Sequence, residues 1–276
     1  SNNHYASDII GLLVLGTLYN DTTYGNKTFD YALNEFYTEV RKQVLPSGVQ
    51  FEKSTSYHRL VSELFVTGYT VLIRNKHTVP EDIKYRIKSM LQFIKSYTKP
   101  NGFSPLISDN DDGRILPFIK RDFREHLYLA HSASTENTIL YAGIEEDMKL
   151  FPATTCNDND FSDSGFSILK TPDCFLFITN GGTGMFYDHK ASYVSTHTHN
   201  DLLSFDLNVY GTDIIVDAGS YIYTADVKKR NEFRSTSKHN TIVVDNEEQN
   251  ELSPNRLFGY KRNSESFINK RSSARK

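Results

Sequence analysis

The 276-residue sequence predicts an α+β protein in which helices come first and strands follow. Two observations predict this order. Through the first hundred or so residues, apolar side chains recur at the spacing of amphipathic helices. After about Phe161 they stand instead in short runs separated by turn signals, which is typical of antiparallel strands. We therefore expect part of an α/α toroid over residues 1–150 and part of an antiparallel β-sandwich over residues 151–276.

Four helices are expected in the first half, and each has its own signal. Residues 5–19 are apolar with helical spacing, and residues 27–45 carry an apolar stripe that Pro46 ends. Residues 54–75 repeat this pattern, and Pro80 stands where a fourth helix would begin. A further helix is expected over residues 122–132. The long loop over residues 99–118 contains an acidic run without the terminal glutamate of an EF-hand, so we expect a solvated turn there.

The second half is expected to contain short strands. Residues 166–170 and 174–178 flank a turn, residues 204–210 alternate, and residues 213–216 and 241–244 are typical of buried strands. No closing set of strands follows, and the first residues already have a helical pattern. We therefore expect a piece of a longer protein, truncated at both ends. Uncovered apolar faces should then favour association or instability, and the piece alone should have weak or no activity.

Composition excludes some classes of protein. The chain has 31 Lys and Arg against 34 Asp and Glu, which argues against a dedicated nucleic-acid binder but leaves room for a local groove that holds an anionic polymer. The apolar run at residues 9–16 is too short to span a membrane. Cys156 and Cys174 are too few for a disulfide framework, and whether they form one bridge stays open. The 17 tyrosines suit sugar recognition, although a tyrosine-rich core would explain them equally.

The strongest local signal is the sequence from His197 to Asp201. Residues two apart on a strand face the same side, so His197 and His199 present two imidazoles beside a carboxylate. A hairpin would return Asp217 to the neighbourhood of His199, and His239 begins another expected strand. Histidine and aspartate are suitable zinc ligands, although two histidines on a sheet face are about as often structural.

A related motif must be set against this interpretation. The pattern His-x-His-x-Asp also opens the metal motif of metallo-β-lactamase-type hydrolases, which continues with another histidine. Here Leu202 occupies that position. A helical first half also does not suit that fold, so we do not favour this class.

A second set of polar residues lies in the helical half. Asn3 and His4 precede the first helix, Glu52 stands near the end of a loop, and Tyr57 and His58 fall in the first turn of the third helix. Taken alone, the set around Tyr57 is typical of an ordinary half-buried helix face.

Taken together, these segments resemble the heparinase II/III-like polysaccharide lyases over residues 2 to about 245. Ser47 departs from the family pattern at a turn position, where Asp would be expected. The resemblance is carried, in family order, by Asn3-His4, Gly48-Val49-Gln50-Phe51-Glu52 with Ser56-Tyr57-His58, Asp109 with Asp112-Gly113-Arg114, His197-x-His199-x-Asp201-x-x-Ser204-Phe205, Val216-Asp217-Ala218-Gly219, and Phe233-Arg234-Ser235-Thr236 with His239-Asn240-Thr241.

The resemblance implies β-elimination on a uronate-containing polysaccharide, bound in a groove between a toroid and a sandwich. The C5 proton is removed, the O4-linked sugar leaves, and the uronate carboxylate must first be neutralised. Asn3 and His4 are the implied neutralising donors. Tyr57 is the implied acid, and also the base when both events occur on one ring face. His197 is the implied base for the opposite epimer.

The resemblance also implies one zinc ion with a structural role, which ties the strands together and supports the loop that carries His197. Its implied ligands are His199, Asp217 and His239. Substrate binding is assigned to Arg234, Glu52 and His58. Arg234 would bind a carboxylate or sulfate through two hydrogen bonds, or else form a structural ion pair.

Several alternatives stay open at this stage. A non-catalytic glycan-binding relative of the same fold, or less plausibly a metal-dependent hydrolase, would share much of this sequence. The anionic polysaccharide would be heparan-type, alginate, hyaluronan-like or a bacterial capsular chain. We expect no nucleic-acid partner and no membrane span, and a periplasmic or secreted bacterial location follows from the resemblance alone. The oligomeric state is not indicated.

Overall fold

The computed structural model describes residues 2–115, 120–130, 158–180, 193–195, 197–253, 257–261 and 264. In these ranges helices come first and an antiparallel sheet follows, which confirms the predicted α+β class. The helices are α1 (Asn3–Leu18), α2 (Thr23–Gln43), α3 (Thr55–Arg74), α4 (Glu81–Tyr97) and α5 (Val227–Arg234). The strands are β1 (Asp158–Phe161), β2 (Phe166–Lys170), β3 (Cys174–Thr179), β4 (Tyr193–Ser195), β5 (Phe205–Val209), β6 (Thr212–Ile215), β7 (Glu251–Leu252) and β8 (Gly259–Lys261).

The first three helices begin at side chains that accept backbone N–H groups. Asn2, Thr22 and Ser54 cap α1, α2 and α3 in this way, which satisfies donors that have no partner within the helix. α1 packs against α2 and α3. α2 and α4 each bury an apolar stripe, whereas α3 is buried on most of its surface; residues such as Leu13, Phe36 and Phe65 are almost fully excluded from solvent.

The main sheet has the strand order β1-β2-β3-β5-β6, and every pairing in it is antiparallel. The turn between β2 and β3 is held by Thr171, whose Oγ1 accepts hydrogen bonds from the backbone N–H groups of Asp173 and Cys174. A tight turn with positive φ at Tyr210 and Gly211 joins β5 to β6. A second, smaller sheet has the order β4-β8-β7.

The helical half and the strand half share one core. Phe93 of α4 lies with its ring centroid 4.7 Å from that of Phe161 and 6.1 Å from that of Phe166. Beside this contact, the buried Lys99 Nζ lies 2.8 Å from Asp213 Oδ1. The end of α4 is therefore fixed against the sheet, and the chain that leaves it starts from a defined position.

Residues 99–115, here named the linking segment, run from this point across the beginning of α3. Hydroxyl groups hold its main chain: Ser54 Oγ donates to Asp109 O at 2.6 Å and Thr55 Oγ1 donates to Pro105 O at 2.8 Å. On its other side, Asp109 N donates to the carbonyl oxygen of His197 at 2.9 Å. The linking segment thus lies between the two halves and contacts both.

Three sequence predictions are wrong in the described part of the chain. Residues 241–244 form no strand, and Ile242 is 73% exposed. Residues 213–216 are not a buried strand, because β6 is the edge of the sheet and Ile214 is 58% exposed. Of the helix expected over residues 122–132, only a 3₁₀ turn at Leu127–Ala130 is present in the described portion.

Other predictions are only partly covered by the described residues. The domain boundary expected near residue 150 lies outside them. The expected alternatives for the two cysteines concern Cys156, which lies outside the described residues, and Cys174, whose thiol is free in the described ranges. Within the described ranges, none of the helices is both long and apolar enough to cross a membrane.

Candidate active site

A cleft of about 670 Å³ opens where the helical half, the linking segment and the strand half meet. Five of the residues predicted from sequence line it, namely Asn3, His4, Glu52, Tyr57 and His197. The rest of its lining consists of Asn2, Ser7, Leu60, Leu64, Asp111, Tyr223, Thr224 and Phe258. The chain therefore brings together residues as far apart in sequence as Asn2 and Phe258.

One wall of the cleft is built by the start of α1 and the turn before α3. Asn3 Nδ2 donates to Glu52 Oε2 at 3.1 Å, and Gln50 Nε2 donates to the same oxygen at 3.0 Å. Gly48, with a φ of +92°, allows the tight turn that returns the chain so that Gln50 pairs with Val44 and Glu52 faces Asn3. Both Asn3 and Glu52 are buried, whereas His4 is exposed.

Two backbone N–H groups at the start of α1 already donate hydrogen bonds within the chain. The side chain of Asn2 accepts hydrogen bonds from His4 N at 3.1 Å and from Tyr5 N at 3.3 Å. These N–H groups are therefore already satisfied. An anionic group of a ligand would have to bind to the side chains of Asn3 and His4 instead.

Next to this wall, the cleft lining contains a stacked pair of rings. The Tyr57 and His197 rings have their centroids 3.7 Å apart and are inclined by 15°. The Tyr57 hydroxyl is hydrogen-bonded to the hydroxyl of Tyr223. Burial and this hydrogen bond raise the pKa of Tyr57 well above its usual value, so its phenol is protonated at neutral pH.

Asp109 lies behind the stacked pair and is completely buried. Its Oδ2 lies 2.9 Å from His197 Nδ1 and 2.6 Å from Arg230 Nη2, and its Oδ1 lies 2.9 Å from His199 Nε2. Burial alone would raise the pKa of the Asp109 carboxyl, but the bonds from both histidines and the charge of Arg230 hold that pKa well below its usual range. The solvated turn predicted for the acidic run is therefore wrong at Asp109.

The three predicted metal ligands are neighbours in the strand half. The His199 and His239 rings have their centroids 5.3 Å apart, and His239 Nδ1 lies 2.8 Å from Asp217 Oδ2. His199 Nδ1 and His239 Nε2 are buried and have no hydrogen-bond partner among the described residues, so two suitable donor atoms are available. The Asp217 carboxylate is occupied by His239 and by Gly219 N. In the described ranges, no group of three or more His, Cys, Asp or Glu side chains has an arrangement that would hold a metal ion.

Two predicted substrate-binding residues are not in the cleft. His58 is 1% exposed; its Nδ1 accepts from Gln50 N at 3.1 Å and its Nε2 donates to Met90 O at 3.0 Å. Arg234 is fully buried and donates to the carbonyl oxygen of Leu257 at 2.7 Å. Their predicted contact with substrate is therefore corrected to a structural role: His58 supports the turn that carries Glu52, and Arg234 holds the segment before β8.

The burial of His58 has a consequence for stability. Burial lowers the pKa of His58 to about 4, whereas the unfolded chain binds this proton near 6.5. The unfolded state therefore binds more protons between these values, so the contribution is complete above pH 6.5 and is lost as the pH falls towards 4. Between pH 7 and pH 4, the unfolding free energy of the wild type should therefore fall by about 3 kcal/mol more than that of His58→Gln. Urea titrations across this range measure the difference, and parallel curves for the two proteins would contradict it.

Sequence reasoning missed three parts of this site. Asp109 was assigned to a solvated turn, Arg230 was not singled out, and Tyr223 belongs to none of the motifs. The one available signal was the place of Asp109 in the family pattern. Nothing in the local sequence shows that a carboxylate in an acidic run is fully buried.

Comparison with known proteins supplies the family. Residues 1–131 match the family model described as heparinase II/III N-terminus, and residues 153–273 match the one described as heparinase II/III-like, C-terminal. The two matches follow each other in the expected order and together cover most of the sequence. The chain belongs to the heparinase II/III-like family.

Individual relatives are more distant. A curated heparin-sulfate lyase from Pedobacter heparinus is 24% identical over 219 residues, which are 76% of this chain and 31% of that protein. Another from Bacteroides stercoris is 23% identical over 216 residues, 75% of this chain and 30% of that protein. The crystal structure of heparan sulfate lyase HepC from Pedobacter heparinus matches with a TM-score of 0.65 at 21% identity, over 90% of this chain and 38% of that one. The chain thus spans about a third of the length of the curated relatives, and the structural likeness shows a shared fold.

Proposed function

We propose that this chain carries the reaction centre of a polysaccharide lyase that cleaves an anionic, uronate-containing polymer by β-elimination. The observation that carries the proposal is the stacking of Tyr57 on His197 in a cleft that Asn3 and His4 also line. These side chains supply an acid, a base and neutral donors at one place, which is what the elimination requires. The relatives named as heparin-sulfate lyases support the same class of substrate.

The first requirement is neutralisation of the uronate carboxylate, because removal of the C5 proton would otherwise create a dianion. Asn3 and His4 are the donors we assign to this task. Glu52 receives one N–H group of the Asn3 amide and so fixes its orientation. Hydrogen-bond donors aimed at developing charge typically contribute about 10²–10³ in rate each.

The second requirement is the transfer of two protons. His197 Nε2 takes the proton from C5, the electron pair forms the C4–C5 double bond, and the C4–O4 bond breaks. The Tyr57 hydroxyl, which its raised pKa keeps protonated, gives a proton to the departing O4. Tyr223 returns a proton to Tyr57 through their shared hydrogen bond. Glu52 Oε1, 3.8 Å from His197 Nε2, stabilises the imidazolium that forms.

A substrate of the opposite C5 configuration would place its proton on the other ring face. The Tyr57 oxygen would then serve as base and acid in turn, which requires that the phenol first give up the proton that its raised pKa holds. The finer architecture we propose is a partial toroid over residues 1–150 and a partial sandwich over residues 151–276, and the location we propose is periplasmic or secreted.

A panel of heparan-type, alginate, hyaluronan-like and capsular polymers tests the proposed activity in the full-length protein. The conjugated double bond of the unsaturated product absorbs in the ultraviolet, and we expect this absorbance with at least one polymer. Binding without any new absorbance would identify a glycan-binding relative instead. New reducing ends without absorbance would identify a hydrolase.

We further propose that His199, Asp217 and His239 hold one zinc ion with a structural role. The two buried ring nitrogens without partners support the two histidine ligands, whereas Asp217 would have to turn from His239 Nδ1 to reach the ion. Zinc would then supply a cross-link between the chain before β5 and the chain after α5. Elimination consumes no water, so activation of water at this position is not required.

If zinc is bound here, one substitution should lower both the metal content and the melting temperature. We expect His239→Ala to lose bound zinc and to melt several degrees below the wild type, and a chelator to lower the melting temperature of the wild type but not of the variant. His77→Ala, in the turn after α3, is the control and should keep its zinc. If elemental analysis of the folded protein finds no metal and His239→Ala melts like the wild type, the three residues are an ordinary hydrogen-bonded cluster.

A further inference from the structure

The contacts of Asp109 point to a role that no motif assigns. Its two carboxylate oxygens lie within 2.9 Å of a nitrogen of His197 and a nitrogen of His199, and Arg230 Nη2 lies 2.6 Å from Oδ2. All four side chains are buried or nearly so, with His197 the most exposed at 12%. One carboxylate therefore contacts both a residue of the cleft and a residue outside it.

We propose that Asp109 is a positioning residue that decides which ring nitrogen carries the proton in both His197 and His199. The proposal rests on the proposed function only where it concerns turnover. The guanidinium of Arg230 is always charged and is completely buried against Asp109. A carboxylate in such a pair stays ionised, because an unpaired buried guanidinium would be very costly.

An ionised carboxylate can only accept hydrogen bonds. The two nitrogens that face it, His197 Nδ1 and His199 Nε2, must therefore both carry protons. In a neutral imidazole the other nitrogen is then the unprotonated one. This leaves His197 Nε2 as an acceptor on the side of the cleft and His199 Nδ1 as the buried atom without a described partner.

The main chain fixes Asp109 as firmly as the side chain does. Its N–H donates to the carbonyl oxygen of His197 at 2.9 Å, and its carbonyl oxygen accepts from Ser54 Oγ at 2.6 Å. Ser54 also caps the helix that presents Tyr57. The Asp109 carboxylate thus orients His197, while the backbone of Asp109 is hydrogen-bonded to the residue that caps the helix carrying Tyr57.

This arrangement defines what the proton transfer requires of each atom. When the C5–H bond breaks, the proton goes to His197 Nε2 and the electron pair stays with the sugar. The imidazolium that results keeps its Nδ1–H on Asp109, whose negative charge stabilises it. If Nδ1 were the unprotonated nitrogen, the atom facing the cleft would be a donor and could not take the proton.

The first test reads the tautomers of the wild-type protein and needs no activity. In ¹⁵N-histidine-labelled protein, long-range ¹H–¹⁵N correlation spectra identify the protonated nitrogen of each ring, with His197→Gln and His199→Gln used for assignment. We expect His197 to be protonated at Nδ1 and His199 at Nε2. The opposite tautomer in either ring would overturn the proposal, whether or not Asp109→Asn folds.

The second test separates positioning from packing. We expect Asp109→Asn to lower kcat by about 10³–10⁴-fold with KM changed only a few-fold, because the amide no longer enforces the tautomer. The matched control is Glu63→Gln on α3, a buried carboxylate 2.8 Å from Arg59 Nη1 that lies outside the cleft lining. Equal losses of kcat in the two variants, or a folded Asp109→Asn protein with wild-type turnover, would overturn the proposal. A wild type that is inactive on every polymer refutes the proposed function instead, and the spectra still decide the role of Asp109.

Discussion

The variant Tyr57→Phe is expected to lower kcat on the order of 10³-fold while KM stays within a few-fold of the wild type. Phenylalanine keeps the ring that stacks on His197 at 3.7 Å, so the shape of the cleft is preserved. It removes the hydroxyl that we propose protonates O4, and it leaves the hydroxyl of Tyr223 without its present partner. Initial rates of ultraviolet absorbance, measured over a range of polymer concentrations in the full-length protein, give kcat and KM separately.

The control for this variant is Tyr24→Phe, which removes a hydroxyl from a side chain that is 82% exposed on α2. It should turn over like the wild type. A Tyr57→Phe protein that also keeps near-wild-type turnover would remove Tyr57 from the reaction. A loss that appears only in KM would make Tyr57 a binding residue.

The second large effect is expected from Asn3→Asp. This change keeps the size of the side chain but places a carboxylate 3.1 Å from Glu52 and against the substrate carboxylate. Turnover of the free-acid polymer should fall about 10²–10³-fold or more, because a neutralising donor becomes a repelling charge. The same polymer with methyl-esterified uronates should lose much less, because it carries no charge at that position.

The comparison of the two substrates is what makes this prediction specific. Asn34→Asp, an equivalent change at an exposed position of α2, is the control and should leave both rates unaltered. Equal losses on the acid and the ester in Asn3→Asp would mean that Asn3 supports the cleft without neutralising the carboxylate.

The helical half could be predicted from sequence because its information is local. All residues of the apolar stripe that includes Phe36 and Val40 belong to α2 itself, so their spacing predicts the helix. Ser54 is a residue type that commonly caps helices, so it predicts the start of α3. The strand half was less predictable. Residues 241–244 are β-branched and apolar, yet Asp245 and Asn246 follow with positive φ, and the chain turns away without pairing. Strand formation depends on a partner elsewhere in the chain, and local preference does not supply one.

In the candidate site, too, residues with a local sequence signal were predictable, and a residue whose partners are distant in the sequence was not. Asn3, Tyr57 and His197 were found because they belong to motifs, and the structure places all three in one cleft. Asp109 was misjudged because its three donors lie 88, 90 and 121 residues away in the sequence. No window of local sequence contains those donors, so an acidic run looks the same whether its first member is solvated or buried.

The hydroxyl groups of α3 and of the residue before it hold the linking segment by its backbone and not by its side chains. The hydroxyls of Ser54, Thr55 and Ser56 bind carbonyl oxygens of that segment, and every amino acid provides a carbonyl oxygen. The three contacts at positions 105, 109 and 111 therefore do not depend on the side chains there, whereas the buried Lys99 and Ile107 restrict what can replace them. Asp111, two residues further on, turns its side chain into the cleft. A different side chain at position 111 would therefore change the lining of the cleft and leave the contact between its carbonyl oxygen and the Ser56 hydroxyl in place.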